Sequence, residues 1–211
     1  MKNNINYTLY LVTDRQYIST KRLEDCIEQA IIGGCTIVQI REKEASSLEF
    51  YEIALRAREV TTQYKTPLII NDRLDIALAV KADGVHVGQS DLPIDIVRKI
   101  VGEDMVVGLS VSTLAEALIG VEQGADYLGV GIMFATQTKT DGELVSIEEL
   151  KAIRANVNVP IVVIGSINKD TIPQFKGTGI DGIAVVSAIL AEKDMVGATA
   201  RLKEMFLGID A

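Results

Sequence analysis

The residues able to do chemistry stand just after short apolar runs, and the clearest case lies between Pro67 and Asp91. The run Pro67-Leu68-Ile69-Ile70 stops at Asn71-Asp72-Arg73, and the run Gly84-Val85-His86-Val87 stops at Gly88-Gln89-Ser90-Asp91. A segment with helical spacing joins them. Strand, helix and strand therefore read as one right-handed crossover, which makes the strands parallel and puts their C-terminal ends on one edge. Asp72 and Asp91 occupy equivalent places on that edge. Two carboxylates a few ångströms apart repel each other unless a cation lies between them, and an oxygen-only shell suits magnesium when a substrate phosphate completes it. The alternative is that each aspartate caps the segment after it, as aspartate does at strand ends.

A second group follows the β-branched run Thr36-Ile37-Val38. In an extended chain Gln39, Arg41 and Lys43 project to one side, so an amide and two cations share a volume, unless the two charges are simply solvated past the strand end. Ser110, Ser112 and Thr113 follow another apolar run, where capping of the next helix would also explain hydroxyls. The longest loop, residues 132–143, carries Phe134, Thr136, Thr138, Lys139 and Asp141. Loops of that length in compact domains are usually functional or mobile. Backbone amides near Gly165 and Ser187, after the last two strands, would suit a phosphate. His86, the one histidine, lies between two valines and reads as a hydrogen-bonded core residue, and Cys26 and Cys35 read as buried thiols.

The elements that must position these groups alternate regularly. Strands are expected near residues 9–12, 36–40, 67–70, 84–87, 105–109, 127–131, 160–164 and 182–186. Helices are expected near 23–31, 47–64, 93–102, 115–123, 146–154, 169–175 and 187–206, with a short helical segment between Arg73 and Gly84, several closed by glycine. Eight such units imply a parallel sheet closed into a (β/α)8 TIM barrel, an α/β fold in one domain spanning 1–211. Asp83, Asp126 and Asp181 each precede a strand and belong to the stability face; Asp72, Asp91 and Asp141 follow strands and belong to the catalytic face. Gly129 and Gly131 do not extend to a G-x-G-x-x-G fingerprint.

Composition removes several classes of function. A net charge of -8 argues against a general nucleic-acid binder. No apolar run approaches the length of a bilayer span, and two cysteines without a Cys-x-x-Cys pair fit a reduced, cytoplasmic setting. The rim holds cations, an acid pair and neutral donors, with no evident general base or nucleophile. That inventory suits departure of an anionic leaving group, with diphosphate the natural candidate.

The segments Leu9-Tyr10-Leu11-Val12-Thr13-Asp14, Gln39-Ile40-Arg41-Glu42-Lys43, Asn71-Asp72-Arg73, 83–91, Gly108-Leu109-Ser110, 125–141 and 182–189 together resemble the thiamine-phosphate synthase family, in order and over nearly the whole chain. The resemblance implies joining of 4-amino-5-hydroxymethyl-2-methylpyrimidine diphosphate to a thiazole phosphate, giving thiamine phosphate and diphosphate. On that pattern Gln39, Ile40, Arg41, Glu42, Lys43, Asn71, Ser110 and Lys139 would hold the pyrimidine diphosphate, with Arg41, Lys43, Ser110 and Lys139 catalytic. Asp72 and Asp91 would carry Mg2+. Thr136, Gln137, Thr138, Gly165, Ser166, Val186 and Ser187 would grip the thiazole phosphate.

Two positions depart from the family pattern: Ser166 stands where a second glycine is usual, and Ile132 where proline is common. If position 166 needs a positive φ, serine costs about 1 to 2 kcal/mol there. Ile132 is expected to affect loop stiffness alone. The competing readings are a thiazole tautomerase, which has no use for a metal and diphosphate clamp, and a non-catalytic phosphate-ligand sensor. A homo-oligomer is compatible with the sequence.

Overall fold

The eight apolar runs form strands that close on themselves. The computed structural model describes residues 5–18, 22–135 and 144–210. The strands are β1 (Leu9–Val12), β2 (Ile37–Ile40), β3 (Leu68–Asn71), β4 (Gly84–Val87), β5 (Val106–Val111), β6 (Tyr127–Val130), β7 (Ile161–Val163) and β8 (Gly182–Val185). Each pairs in parallel with its sequence neighbour, and β8 returns to β1 with Tyr10 opposite Ala184. The helices are α1 (Leu23–Ile32), α2 (Ser47–Gln63), α3 (Leu74–Ala79), α4 (Ile94–Val101), α5 (Leu114–Glu122), α6 (Ile147–Asn156), α7 (Ser187–Leu190) and α8 (Met195–Leu207).

Alternation along each strand divides the apolar side chains into two layers. Leu9 and Leu11 pack under the helices, while Tyr10 and Val12 point to the barrel axis with Ile37, Ile69, Val106, Tyr127 and Val162. The axial layer is crowded. A Cβ on Gly108 would sit 2.2 Å from the Tyr127 ring, and one on Gly129 would sit 3.0 Å from the His86 ring, so glycine at these points makes room for both rings.

Two helical expectations need correction. The span 169–175 forms only a 3-10 turn, Ile172–Phe175, because Pro173 supplies no N–H near its start and glycines follow at 177 and 179. The last helix is not continuous from Ser187. It breaks after Leu190, and Asp194 restarts it by accepting the Gly197 N–H at 2.9 Å. The other end of the chain adds a 3-10 turn, Arg15–Tyr17, which Asp14 caps.

The face opposite the strand ends is stitched by a motif that recurs every two units. Asp83 accepts the Leu68 N–H of β3 and pairs with Arg58 of α2. Asp126 accepts the Val107 N–H of β5 and pairs with Arg98 of α4, and Asp181 accepts the Ile161 N–H of β7 and pairs with Arg154 of α6. In the remaining quarter the hydroxyl of Thr36 takes the aspartate's place, accepting the Leu9 N–H at 3.0 Å.

Candidate active site

The C-terminal ends of the strands open on a cavity of about 510 Å³. Gln39 and Asn71 line it from β2 and β3, Arg41 and Lys43 from just past the end of β2, and Asp72, Asp91 and Ser110 line it as well. A smaller cavity of about 90 Å³ adjoins it, lined by Gly165, Ser166, Val186 and Ser187, and Arg41 borders both. Ile40 and Glu42 do not line either cavity: Ile40 is buried under the helices, and Glu42 turns to Arg15 at 2.8 Å. Thr136, Gln137, Thr138, Lys139 and Asp141 lie outside the described residues.

The two acids meet as the crossover requires. Asp72 leaves the end of β3 with φ at 61°, a left-handed conformation that aspartate tolerates better than most side chains, and its N–H donates to the His86 carbonyl at 2.8 Å. Lys43 Nζ donates to Asp72 Oδ2 at 2.6 Å. Asp91 accepts the Gly88 N–H at 2.7 Å, a bond back into the loop before it. Neither aspartate caps the helix that follows: the N-caps of α3 and α4 are Arg73 and Pro93, without a side-chain cap bond. Burial lifts its carboxyl above the usual range, the Gly88 bond pulls it back, and the neighbouring Asp72 charge lifts it further. Asp91 thus keeps its proton to a higher pH than a solvated aspartate.

That strain is the test of whether the pair suits a divalent cation. The acids repel each other in a partly buried place, and the Lys43 ammonium offsets part of that charge. Among the described residues no group of three or more His, Cys, Asp or Glu side chains forms a protein-only cage. Two hard oxygen donors with the rest of the shell left to substrate and water is the manner in which Mg2+ is commonly held. The residues fit that ion.

Hydroxyls that looked interchangeable in sequence do different work. Thr113 forms a capping box with Glu116 at the start of α5, Ser112 donates to the Gly131 carbonyl at 3.1 Å, and Ser110 points into the barrel. Ser110 Oγ lies 2.9 Å from His86 Nε2, and His86 Nδ1 lies 2.9 Å from the Tyr127 hydroxyl. Tyr127 in turn lies 2.8 Å from the Tyr10 hydroxyl, which accepts from Gln39 Nε2 at 2.7 Å. His86 is buried and hydrogen-bonded as expected, but it faces the axis and the cavity. The sequence reading assigned Tyr10 and Tyr127 no place in the site; the signal for Tyr127 was Gly108 in the neighbouring strand β5, which makes room for its ring.

In the smaller cavity, Gly165 has φ at 107° and a Cβ there would sit 2.5 Å from Ile132. Ser166 follows with φ at 51°, and its hydroxyl donates to the Ala135 carbonyl at 2.6 Å. The position is one where serine is strained, and its side chain ties the loop after β7 to the segment after β6.

Comparison with known proteins bears on the family and the fold. A family model described as thiamine monophosphate synthase matches residues 9–189. The thiamine-phosphate synthase of Clostridium beijerinckii is 56% identical over 209 residues, covering 99% of this chain and 100% of the relative. That of Ruminiclostridium cellulolyticum is 56% identical over 207 residues, covering 98% and 99%. Among solved structures, the thiamine phosphate pyrophosphorylase from Pyrococcus furiosus superposes with a TM-score of 0.89 at 38% identity, covering 98% of both chains.

Proposed function

The chain belongs to the thiamine monophosphate synthase family, and from that premise we propose how its rim joins 4-amino-5-hydroxymethyl-2-methylpyrimidine diphosphate to a thiazole phosphate, giving thiamine phosphate and diphosphate. The observation that carries the reading is the meeting of Asp72 and Asp91 beside Lys43, on a cavity that Gln39, Arg41, Asn71 and Ser110 also line. In this arrangement Gln39, Asn71, Ser110 and the chain from Arg41 to Lys43 hold the pyrimidine diphosphate, with Lys139 contributing from the loop after β6. Gly165, Ser166, Val186 and Ser187 hold the thiazole phosphate, joined by Thr136, Gln137 and Thr138. Asp72 and Asp91 would hold Mg2+, which when bound supplies positive charge to the diphosphate oxygens.

The bond between the pyrimidine methylene carbon and the diphosphate oxygen breaks, and both electrons leave on diphosphate. The aminopyrimidine releases electron density to the methylene, and the thiazole nitrogen forms the new carbon–nitrogen bond with its lone pair. Arg41, Lys43 and Lys139 stabilise charge that grows on the departing oxygens. They therefore favour the transition state over the ground state, which is the condition for a higher rate. Arg41 borders both cavities, a place from which one guanidinium serves the leaving diphosphate while the second substrate waits alongside. Cys26 and Cys35, both buried and neither in a disulfide, accord with a cytoplasmic setting.

Mixing the protein with both substrates and Mg2+ tests the reading. Diphosphate and thiamine phosphate are expected in equal amounts. A thiazole tautomerase or a ligand sensor on the same fold would release no diphosphate.

A further inference from the structure

The end of β1 grips the end of β2 through three consecutive residues. The Thr13 N–H donates to the Gln39 carbonyl at 2.9 Å, and the Thr13 hydroxyl accepts the Arg41 N–H at 3.1 Å. Asp14 Oδ2 lies 3.6 Å from Arg41 Nη1, with both side chains largely buried. Arg15 then pairs with Glu42 and with Glu49 of α2, at 2.8 Å each, so the segment that carries Arg41 and Lys43 is tied on its outer side as well.

Asp14 differs from its two neighbours because it reaches the Arg41 side chain, and it lines neither cavity. Its oxygens are divided between two tasks. Oδ1 accepts the Gln16 N–H at 3.0 Å and caps the 3-10 turn, while Oδ2 faces the guanidinium. Charge alone gives no reason for the second task. A carboxylate behind Arg41 offsets part of the positive charge that Arg41 presents to an anion, so a site that needed only charge would be better without it. Direction is a different matter. The guanidinium is a rigid plane with five N–H donors at the end of a long, flexible stem. Anchoring one edge of that plane sets where the remaining donors point, and it removes rotamer freedom before a ligand arrives. Arg41 borders both cavities, so its orientation decides which of them those donors serve.

We propose that Asp14 is a positioning residue: it holds the Arg41 guanidinium at the boundary of the two cavities with its remaining N–H groups directed to the diphosphate, and its contribution to diphosphate binding passes through Arg41. This inference rests on reading the larger cavity as the pyrimidine diphosphate site.

The test is a double-mutant cycle of Asp14→Asn and Arg41→Ala, read by calorimetric titration of inorganic diphosphate in the presence of Mg2+. Asp14→Asn keeps an oxygen for the Gln16 N–H and sets an uncharged amide against Arg41. Diphosphate affinity is expected to fall about fivefold or more in Asp14→Asn, because the guanidinium loses its preset direction. In the Arg41→Ala background the same substitution is expected to leave the affinity unchanged or to raise it, since only the repulsion between Asp14 and the anion is then removed. Equal weakening in both backgrounds would overturn the proposal, because Asp14 would then act through the loop and not through Arg41. Unchanged or tighter binding in the single variant Asp14→Asn would overturn it too. Should Asp14→Asn lose its cooperative unfolding transition, Asp14→Ser keeps a capping oxygen, lacks the charge and carries the same expectations. Diphosphate that does not bind the unaltered protein, or that binds Arg41→Ala equally well, would sink the reading of the cavity itself. A clear loss in Arg41→Ala with none in Asp14→Asn would sink only the positioning role.

Discussion

At the scale of single residues, Ser166 shows how one position can be strained and still retained. Its φ of 51° costs serine about 1 to 2 kcal/mol relative to glycine. The hydroxyl donates to Ala135 at 2.6 Å, and a hydrogen bond of that kind returns about 0.5 to 1.5 kcal/mol. The two effects nearly cancel. Ser166→Gly is therefore expected to change the thiazole-phosphate KM by less than tenfold, about 1.4 kcal/mol. An improvement of tenfold or more in steady-state kinetics would show that the strain reaches the ligand uncompensated. Asp72 is a contrasting case, since its positive φ leaves the carboxylate against Lys43 and Asp91 on the cavity wall. The angle at Ser166 was foreshadowed by the glycine usual at that position, whereas that at Asp72 was not legible in the sequence, because it depends on where the neighbouring strand ends.

At the scale of elements, the units are held in register by the repeated aspartate on the face away from the cavity. Arg98 is the most heavily engaged of its arginines, donating to the carbonyls of Gly102, Met105 and Gly124 as well as to Asp126. Removing Asp126 strips the Val107 N–H of its acceptor and leaves a half-buried guanidinium without its counter-charge. Asp126→Ala is expected to lower stability by about 2 to 4 kcal/mol, with kcat/KM measured well below the unfolding midpoint unchanged. Urea unfolding checks this, and a loss under about 0.5 kcal/mol would mean the stitch contributes little. The sequence placed these aspartates on the correct face because each stands just before an apolar run. It misread the seventh helix, since the span 169–175 was expected to be helical and forms only a 3-10 turn with Pro173 in it.

At the scale of the whole molecule, the alternation of strand and helix was enough to specify a closed barrel and to gather Gln39, Arg41, Lys43, Asn71, Asp72, Asp91 and Ser110 on one cavity. What lay inside the barrel was harder to read. Parallel strands buried on both faces carry apolar residues at successive positions, so the period of two that separates inward from outward is hidden. Tyr10 and Tyr127 are 117 positions apart in the chain and meet only because the barrel closes. Glu42 shows the opposite limit, since the alternation that aimed Gln39, Arg41 and Lys43 inward also turned Glu42 away, and family likeness alone had placed it among the ligands.

The central claim is that the acid pair at the ends of β3 and β4 holds a divalent cation that assists the departure of diphosphate. Its most direct test is the rate of diphosphate release with both substrates present, before and after exhaustive chelation and again after Mg2+ is restored. The rate is expected to fall by roughly 100-fold or more on chelation and to recover with Mg2+. Turnover that continues undiminished in the chelated protein would contradict the account.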